Sequence, residues 1–248
     1  MKLIIPVTTL ALAQATEFNK IMQRVSNNFD AVIEANGLNP ATKQEAQQMG
    51  MPMQGARALK KTDLAVLQGY GCWCYFEEER GKGQPADDYD SQCKVLQDGY
   101  ECLRLDAEKE NKPCDIWTTD YISAVGFGGI SSMNLETLSA ECDSSNGIDT
   151  CQSRLCRVEG WFVQNIILLM FQKFTIPNPN LQHQNMMFDV STECQVRPGV
   201  QSEKECCGQY PIRWPFKTQG GDRKCCQGRT YNAALNQCCA DGSTKPVC

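Results

Sequence analysis

The sequence of 248 residues contains a single histidine, His183, and it has neither an Asn-x-Ser/Thr sequon nor a glycine-rich phosphate loop. One histidine excludes histidine-rich metal sites, and any histidine-dependent catalysis would rest on that residue alone. We expect His183 to be an ordinary surface side chain, because it lies in a polar stretch without a second catalytic group. The missing sequon argues against N-glycosylation, and the missing phosphate loop argues against a nucleotide site.

Basic residues and long apolar runs are also scarce. The chain has 24 Lys and Arg residues against 29 Asp and Glu residues, which gives a net charge of −5 at pH 7. This acidic balance argues against a nucleic-acid partner, because the phosphate backbone attracts basic surfaces. The most apolar stretch, residues 161–171, is too short to span a bilayer. We expect a core helix there, and a surface that docks lipid or another chain is the alternative.

The first fifteen residues indicate the compartment. They read MKLIIPVTTLALAQA, with one lysine before an apolar run and Ala-Gln-Ala at its end. This order is typical of a secretory signal peptide, whose cleavage site needs small residues. We therefore predict a secreted, extracellular protein. A buried N-terminal helix is the alternative interpretation of the same residues.

Cysteine is abundant, and its placement divides the chain. None of the 16 cysteines precedes Cys72, and none lies between Cys156 and Cys194. The first eight are Cys72, Cys74, Cys93, Cys102, Cys114, Cys142, Cys151 and Cys156. The other eight are Cys194, Cys206, Cys207, Cys225, Cys226, Cys238, Cys239 and Cys248. An even number in each group predicts eight disulfides in an oxidising compartment and allows each group to close on itself as a separate module.

These boundaries predict five consecutive segments. They are a signal peptide at 1–15, an N-terminal helical region at 16–70, a first cysteine-rich module at 71–175, a linker at 176–193 and a di-cysteine module at 194–248. The linker assignment rests on the Pro, Asn and Gln content of that segment. Charge follows the same division, with −10 before residue 194 in the mature chain and +4 after it. Two copies could therefore associate head to tail, in a pairing that salt would weaken.

Apolar spacing predicts mainly helical structure before residue 194. Residues 16–36 place apolar side chains three and four apart and are followed by Gly37, which favours an amphipathic helix. Further helical patterns occur at 40–70, 87–110 and 150–174. After Cys194 the density of Gly, Pro and Cys predicts short strands and loops. The expected fold class is mainly α and disulfide-rich, followed by a small irregular or β module.

The first cysteine-rich module resembles the start of the secreted phospholipase A2 family. It reads YGCWC at 70–74, GKGQP at 81–85 and DDYD at 87–90, and Cys93 follows. In that family a Tyr-Gly-Cys-Tyr-Cys loop binds calcium, and a Gly-x-Pro-x-Asp segment leads into a helix with Cys-Cys-x-x-His-Asp. The similarity covers about residues 67–121 and implies a phospholipase A2-like helical fold for the module.

The resemblance also implies a disulfide pattern and a mechanism. By analogy, Cys74 pairs with Cys93 and ties the loop to the helix. Cys102 would pair with Cys151 or Cys156 on the returning helix. Members of the family use the helix histidine to activate water, and calcium stabilises the oxyanion that develops.

The chain does not have the catalytic histidine of the family at the matching position. The nearest match to His-Asp is Gln97-Asp98, and a Gln amide cannot act as a base near neutral pH. The calcium loop departs as well, because residues 75–80 read YFEEER where the family has glycines. We therefore predict a catalytically inactive module with degenerate positions at Gln97 and Asp98. A calcium-dependent secreted phospholipase A2-like enzyme or toxin is the alternative.

Two acidic clusters allow another role for calcium. Clustered carboxylates are hard oxygen ligands that suit weak binding at millimolar calcium. The candidate ligands on either side of the Gly-rich loop and on the helix are Glu77, Glu78, Glu79, Asp87, Asp88, Asp90 and Asp98. A solvated acidic face is the alternative, and the spacing is not that of an EF-hand. We expect no other cofactor.

The last module is built on di-cysteines at 206–207, 225–226 and 238–239. The unit Cys-Cys-x-Gly-x-x-Tyr-Asn-x5-Cys-Cys-x-x-Gly is similar to the di-cysteine repeats of galaxins, which are extracellular matrix proteins. Adjacent cysteines rarely bond each other, so each should bond a different partner and form a cross-linked ladder without a large core. A growth-factor-like or toxin-like knot is an alternative. Trp214 and Phe216 are expected to form a miniature core, or else an adhesive surface with nearby cations.

These features together predict a secreted, disulfide-cross-linked structural protein of the extracellular matrix with an inactive phospholipase A2-like module. Its partners would be matrix proteins or further copies of itself. A non-catalytic lipid-binding protein, with a lipid or membrane surface as its partner, is the other alternative. No nucleic acid is expected.

Overall fold

The structure, a computed structural model, describes most of the chain. The described residues are 7–36, 64, 66–74, 81–124, 134–173, 177–185, 187–196 and 202–248. For 7–20 and 171–173 it describes the backbone only. Most of the helix predicted at 40–70 lies outside the described residues, as do the first six residues of the predicted signal peptide. The described residues 66–70 form turns and a β-bridge, so the helix does not extend to residue 70.

Five α-helices form the described part of the chain before residue 204. They are α1 (Val7–Ala35), α2 (Asp88–Glu110), α3 (Leu135–Asn146), α4 (Cys151–Lys173) and α5 (Val190–Glu193). The bounds of α2 and α4 confirm the helices predicted at 87–110 and 150–174. α2 begins after Asp87, whose carboxylate caps the helix by accepting from the backbone of Asp90. It ends at Asn111, which adopts the left-handed conformation of a C-terminal cap.

Two helices differ from the sequence prediction. α1 ends at Ala35 as expected but begins at Val7 instead of residue 16, because Leu and Ala residues continue the helical run without a breaker. α3 has no counterpart in the prediction. Only Leu138 and Cys142 of α3 are buried, and two residues four apart are too few to reveal a helical period.

α4 is the centre of the helical core and packs against α1, α2 and α3. Its residues Leu155, Val163, Ile166 and Ile167 are fully buried, which confirms the core interpretation of the apolar stretch. Close approach to α2 depends on Gly99, where an added Cβ would lie 2.7 Å from Val158 of α4. Among the described residues, no helix is both long and apolar enough to cross a membrane.

A buried ionic network joins α1, α2 and α4 inside this core. Glu159 of α4 is fully buried, and Arg24 of α1 donates to it from Nε at 2.9 Å and from Nη2 at 2.5 Å. The hydroxyls of Tyr100 and Tyr121 donate to the same carboxylate at 2.8 and 2.7 Å. Arg24 also donates to two backbone carbonyls of the segment after α2. Among the described residues, the groups that bond Glu159 are therefore all donors, as a buried carboxylate requires.

The protonation states of the network follow from its burial. Burial and the neighbouring Glu159 raise the pKa of Tyr100 and Tyr121 well above the ordinary value, so both phenols keep the protons that they donate. Burial alone would lower the pKa of Arg24, but the bonded carboxylate raises it above its ordinary value. Arg24 therefore stays charged and balances Glu159.

Three two-stranded antiparallel hairpins form the last part of the chain. Their strands are β1 (Lys204–Gln209) with β2 (Ile212–Lys217), β3 (Arg223–Cys226) with β4 (Arg229–Asn232), and β5 (Gln237–Cys238) with β6 (Thr244–Lys245). This confirms the short strands predicted after Cys194. Phe216 is buried and Trp214 is half-buried at its edge, with ring centroids 6.1 Å apart, as expected for a miniature core.

Eight disulfides pair all 16 cysteines within the chain, and none is free. The pairs are Cys72–Cys194, Cys74–Cys93, Cys102–Cys206, Cys114–Cys151, Cys142–Cys156, Cys207–Cys225, Cys226–Cys238 and Cys239–Cys248. The members of each di-cysteine bond different partners, which confirms the predicted ladder. The Cys74–Cys93 pairing expected by analogy is also confirmed.

Two expectations about the disulfides are wrong. Cys102 bonds Cys206 and not Cys151 or Cys156, which bond Cys114 and Cys142. The two groups of eight cysteines also do not close on themselves, because Cys72–Cys194 and Cys102–Cys206 join them. An even number of cysteines permits closure within a group but does not require it. The packing of β1 and β2 against α2 brings Cys206 to Cys102.

Replacing Arg24 by leucine should strongly destabilise this fold. The Glu159 carboxylate would be buried without its counter-ion, and breaking a buried pair costs about 3–5 kcal/mol. Arg104→Leu is the matched control, because Arg104 pairs with Glu108 on the surface of α2 and its side chain is 53 % exposed. That change should cost about 1 kcal/mol or less. Urea unfolding followed by circular dichroism measures both, and equal losses would contradict the role given to Arg24.

Candidate functional site

The site predicted at Gln97 and Asp98 lies in the middle of α2, where the helix faces the segment 70–74 and the residues from Gly81 onward. The Cys74–Cys93 disulfide holds the segment to the helix. Gln97 and Asp98 are both nearly buried, at 6 % and 5 % exposure. Gln97 therefore lies against the loop, and Asp98 is the next residue on the helix. Residues 75–80, including Glu77, Glu78 and Glu79, lie outside the described residues.

The Gln97 amide bonds both sides of the loop. Its Oε1 accepts from the backbone N–H of Gly81 at 2.7 Å, and its Nε2 donates to the carbonyl of Trp73. Both amide functions are thus used to hold the two ends of the loop against α2. An amide has one donor group and one acceptor group, and this arrangement requires both. Gln97 therefore acts here as a structural clasp.

The Asp98 carboxylate forms an ion pair with Lys94. Lys94, one turn earlier on α2, places Nζ 2.5 Å from the Asp98 carboxylate. The same ammonium lies 5.0 Å from the centre of the Trp73 ring, within the range of a cation–π contact. The charge of Asp98 is therefore balanced by a lysine that also packs on the loop.

Asp90 is held by backbone amides. Its carboxylate accepts from the N–H groups of Cys72, Trp73 and Cys74 at 2.8, 2.7 and 3.2 Å, and from that of Ala86 at 2.8 Å. Burial raises the pKa of Asp90, although these four donors favour the ionised form. The carboxylate also occupies the space where a side chain at residue 71 would lie, and Gly71 there has a positive φ of 58°. Asp90 thus fixes the backbone conformation of the loop through these hydrogen bonds.

The remaining acidic candidates lie at the start of α2. Asp87 caps the helix and accepts from the hydroxyl of Tyr70, and Asp88 is exposed in the first turn. Within the ranges that the structure describes, no group of three or more His, Cys, Asp or Glu side chains is arranged to hold a metal ion. The calcium ligands predicted here include Glu77–Glu79 outside those ranges, so the calcium site stays a prediction.

His183 differs from the expected surface side chain. The segment 177–185 packs against the loop, with the backbone N–H of His183 donating to Gly69 at 2.9 Å and that of Gly71 donating to Leu181 at 2.9 Å. The ring Nε2 lies 2.6 Å from the carbonyl of Gly71, and the ring stacks on Phe188. The expectation was wrong because the residues assigned to a linker bond the loop and bring Cys194 to Cys72.

A small apolar cavity lies beside this site. It has a volume of about 10 Å³ and is lined by residues of α1, α2 and α4, among them Ile21, Leu96 and Phe162. That volume is close to the space of one water molecule.

A second polar cluster fixes the first hairpin to α2. Asp106 of α2 accepts from Nε and Nη2 of Arg213 at 2.7 and 2.9 Å and from the hydroxyl of Tyr210 at 2.8 Å. Lys204 donates to Glu101 at 3.1 Å, and the Cys102–Cys206 bond lies between these contacts in sequence. Some of the acidic side chains of α2 and some of the basic side chains of the hairpin module therefore form ion pairs with each other within one chain. Sequence reasoning did not identify this cluster, because its members are about a hundred residues apart.

Replacing Gln97 by leucine should loosen the loop. The N–H of Gly81 and the carbonyl of Trp73 would lose their partner, and a buried polar group left unpaired costs about 1–3 kcal/mol. Gln92→Leu on the same helix is the matched control, because the Gln92 side chain makes no hydrogen bond with the described residues. Urea unfolding and amide exchange at Gly81 measure the effect. Unchanged protection of Gly81 in the Gln97 variant would contradict the clasp.

The comparisons with known proteins identify no relative. No family model matches the chain, and no curated protein or solved structure is detectably similar to it. The likeness to phospholipases A2 and to galaxins therefore rests on the motifs quoted above. What stands independently of it is a disulfide-rich protein of five described helices and three small hairpins.

Proposed function

We propose that this chain is a secreted, non-enzymatic structural protein of the extracellular matrix. The helical part serves as the base, and the three hairpins form a cross-linked arm that is attached to it. Eight disulfides are typical of proteins that fold in an oxidising compartment, which supports the secreted location. The phospholipase A2-like and galaxin-like motifs belong to this proposal as its sequence support.

The observation that carries the proposal is the continuity of the ladder. Cys206 bonds the base and Cys207 bonds the second hairpin. Cys226 then bonds the third hairpin, and Cys239 bonds Cys248 near the end of the ladder. Two-stranded hairpins are marginal by themselves in water. Covalent linkage to a helical base makes a durable arm from units that have little core, and such an architecture suits a mechanical or scaffolding role.

The non-enzymatic part of the proposal rests on Gln97 and Asp98. The family's mechanism needs a base at the first position and a calcium ligand at the second. Gln97 has no basic nitrogen, and both its amide functions bond the loop. The Asp98 carboxylate is balanced by Lys94. These contacts favour a loop that is held in place by the protein's own side chains.

Stepwise extraction of the source tissue tests the structural role. Low-salt buffer, then denaturant, then denaturant with reductant are applied in turn, and each fraction is probed by immunoblot. Because every cysteine is paired within the chain, we expect release by denaturant without reductant, from an assembly held by non-covalent contacts. Full release in low-salt buffer would contradict the matrix role. Release only with reductant would support the matrix role and show that the pairing is exchanged between chains.

A hydrolysis assay tests the non-enzymatic role separately. The purified mature protein is incubated with phosphatidylcholine vesicles in millimolar calcium, and released fatty acid is measured. We expect no release above that of the same reaction with chelator. Calcium-dependent release that Asp98→Asn abolishes would contradict the proposal and favour the enzyme alternative. Vesicle binding that persists with chelator, without release, would favour the lipid-binding alternative.

A further inference from the structure

The disulfides shorten the covalent route from Cys72 to the last residue of the sequence. Reduced and stretched, the 176 residues that follow Cys72 would span about 600 Å, at about 3.3–3.6 Å for each residue. With the disulfides formed, most of these residues lie in closed loops outside the shortest covalent route. We infer that the disulfide skeleton is a tension-bearing tether between residue 72 and Cys248, which limits how far these two residues can separate when the fold is pulled open.

The first half of the tether has two parallel routes that meet at Cys206. One route crosses from Cys72 to Cys194 and follows twelve residues to Cys206. The other follows two residues to Cys74 and crosses to Cys93. It then follows nine residues to Cys102 and crosses to Cys206. The two routes form one closed covalent ring, and Gln97 and Asp98 lie on its second route.

The two routes have nearly the same length when stretched. The disulfides on them separate the Cα atoms by 5.4 Å on the first route, and by 4.9 and 5.7 Å on the second. Adding the intervening residues gives about 50 Å for each route at 3.6 Å for each residue. A pull between Cys72 and Cys206 would therefore load both routes together, and loss of one would leave the other to carry the load.

The second half of the tether is a single series. From Cys206 the route steps to Cys207 and crosses to Cys225. It then steps to Cys226, crosses to Cys238, steps to Cys239 and crosses to Cys248. Each crossing bypasses a loop, of 18, 12 and 9 residues in sequence separation. This half adds about 30 Å, so the whole tether is about 80 Å long.

Contacts within the fold hold the junction of the two halves. Arg213 and Tyr210 of the first hairpin bond Asp106, and Lys204 bonds Glu101, on both sides of Cys102 along α2. These contacts therefore lie on both sides of Cys206, the residue at which the two routes meet. Tension that breaks these contacts would still meet the disulfides. The biological use of this tether rests on the proposed structural role, whereas its mechanical behaviour can be tested on the isolated chain.

Single-molecule force spectroscopy on the full chain tests the inference. The chain is held by tags at its two ends, and the contour length gained on complete stretching is measured with and without reductant. We expect reductant to add about 500 Å, because the closed loops between Cys72 and Cys248 then open. A gain of similar length without reductant would overturn the inference.

Paired serine variants distinguish the ring from the series. Cys226→Ser with Cys238→Ser removes one step of the series, and the oxidised chain should lengthen by about 40 Å. Cys72→Ser with Cys194→Ser removes one route of the ring, as does Cys74→Ser with Cys93→Ser. Each of these ring variants should lengthen the chain by less than about 10 Å, because the other route takes the load.

The two ring changes should be strongly non-additive. A variant with serine at Cys72, Cys194, Cys74 and Cys93 leaves the 30 residues from Cys72 to Cys102 as the shortest route, so it should lengthen by about 60 Å. Peptide mapping of each oxidised variant confirms that the other disulfides are unchanged, so misfolding cannot imitate the result. A single ring variant that lengthens as much as the series variant would overturn the parallel routes. Because this assay uses no tissue, its outcome is independent of the extraction experiment.

Discussion

The Cys102–Cys206 disulfide is the bond on which the arrangement of the chain depends. It joins the middle of α2, whose core packing is extensive, to β1, whose own hairpin has a small core that includes Phe216, Trp214 and Cys207. Two-stranded hairpins are at best marginally stable alone in water, so the ladder needs an anchored first step. Asp106 adds directional contacts to this bond, because the Arg213 guanidinium meets its carboxylate with two parallel hydrogen bonds. Burial and the same carboxylate raise the pKa of Tyr210, so its hydroxyl keeps the proton that it donates to Asp106.

The helical base shows a consistent use of buried polar groups as connectors. Glu159 gathers α1, α2 and the segment after α2 around one carboxylate, and Asp90 gathers four amides of the loop around another. Gln97 performs the same task with an amide in place of a charge. In each case a single side chain satisfies two or more polar groups of the backbone or of other side chains, which fixes one geometry for the loop and the helices.

From the sequence, two of the helices could be predicted, and so could the finding that adjacent cysteines bond different partners. Helical spacing located α2 and α4, because their apolar residues repeat over more than twenty positions, but it did not locate α3, which buries only Leu138 and Cys142. The start of α2 shortly after the Gly-rich segment followed from the order of the motifs. The clasp formed by Gln97, the contact of His183 with Gly71 and the Cys72–Cys194 bond did not, because each depends on which distant segments meet. Pairing of long-range partners is decided by packing, and a count of cysteines does not contain that information.

The hairpins have an order that follows from how they are stabilised. The first hairpin is fixed to α2 by a disulfide and by Asp106. The second is fixed to the first through Cys207–Cys225 and by Arg223, which lies over the Phe216 ring. The third is fixed to the second through Cys226–Cys238. Each unit therefore takes its stability from the one before it, as in repeat proteins whose units contact only their neighbours. The contribution of the helical base is greatest at the first hairpin and reaches the third only through two covalent steps. This dependence explains why a fold with so small a core in its last part carries a disulfide at every step, whereas the helical part, with α4 buried at its centre, can leave long segments between its cysteines.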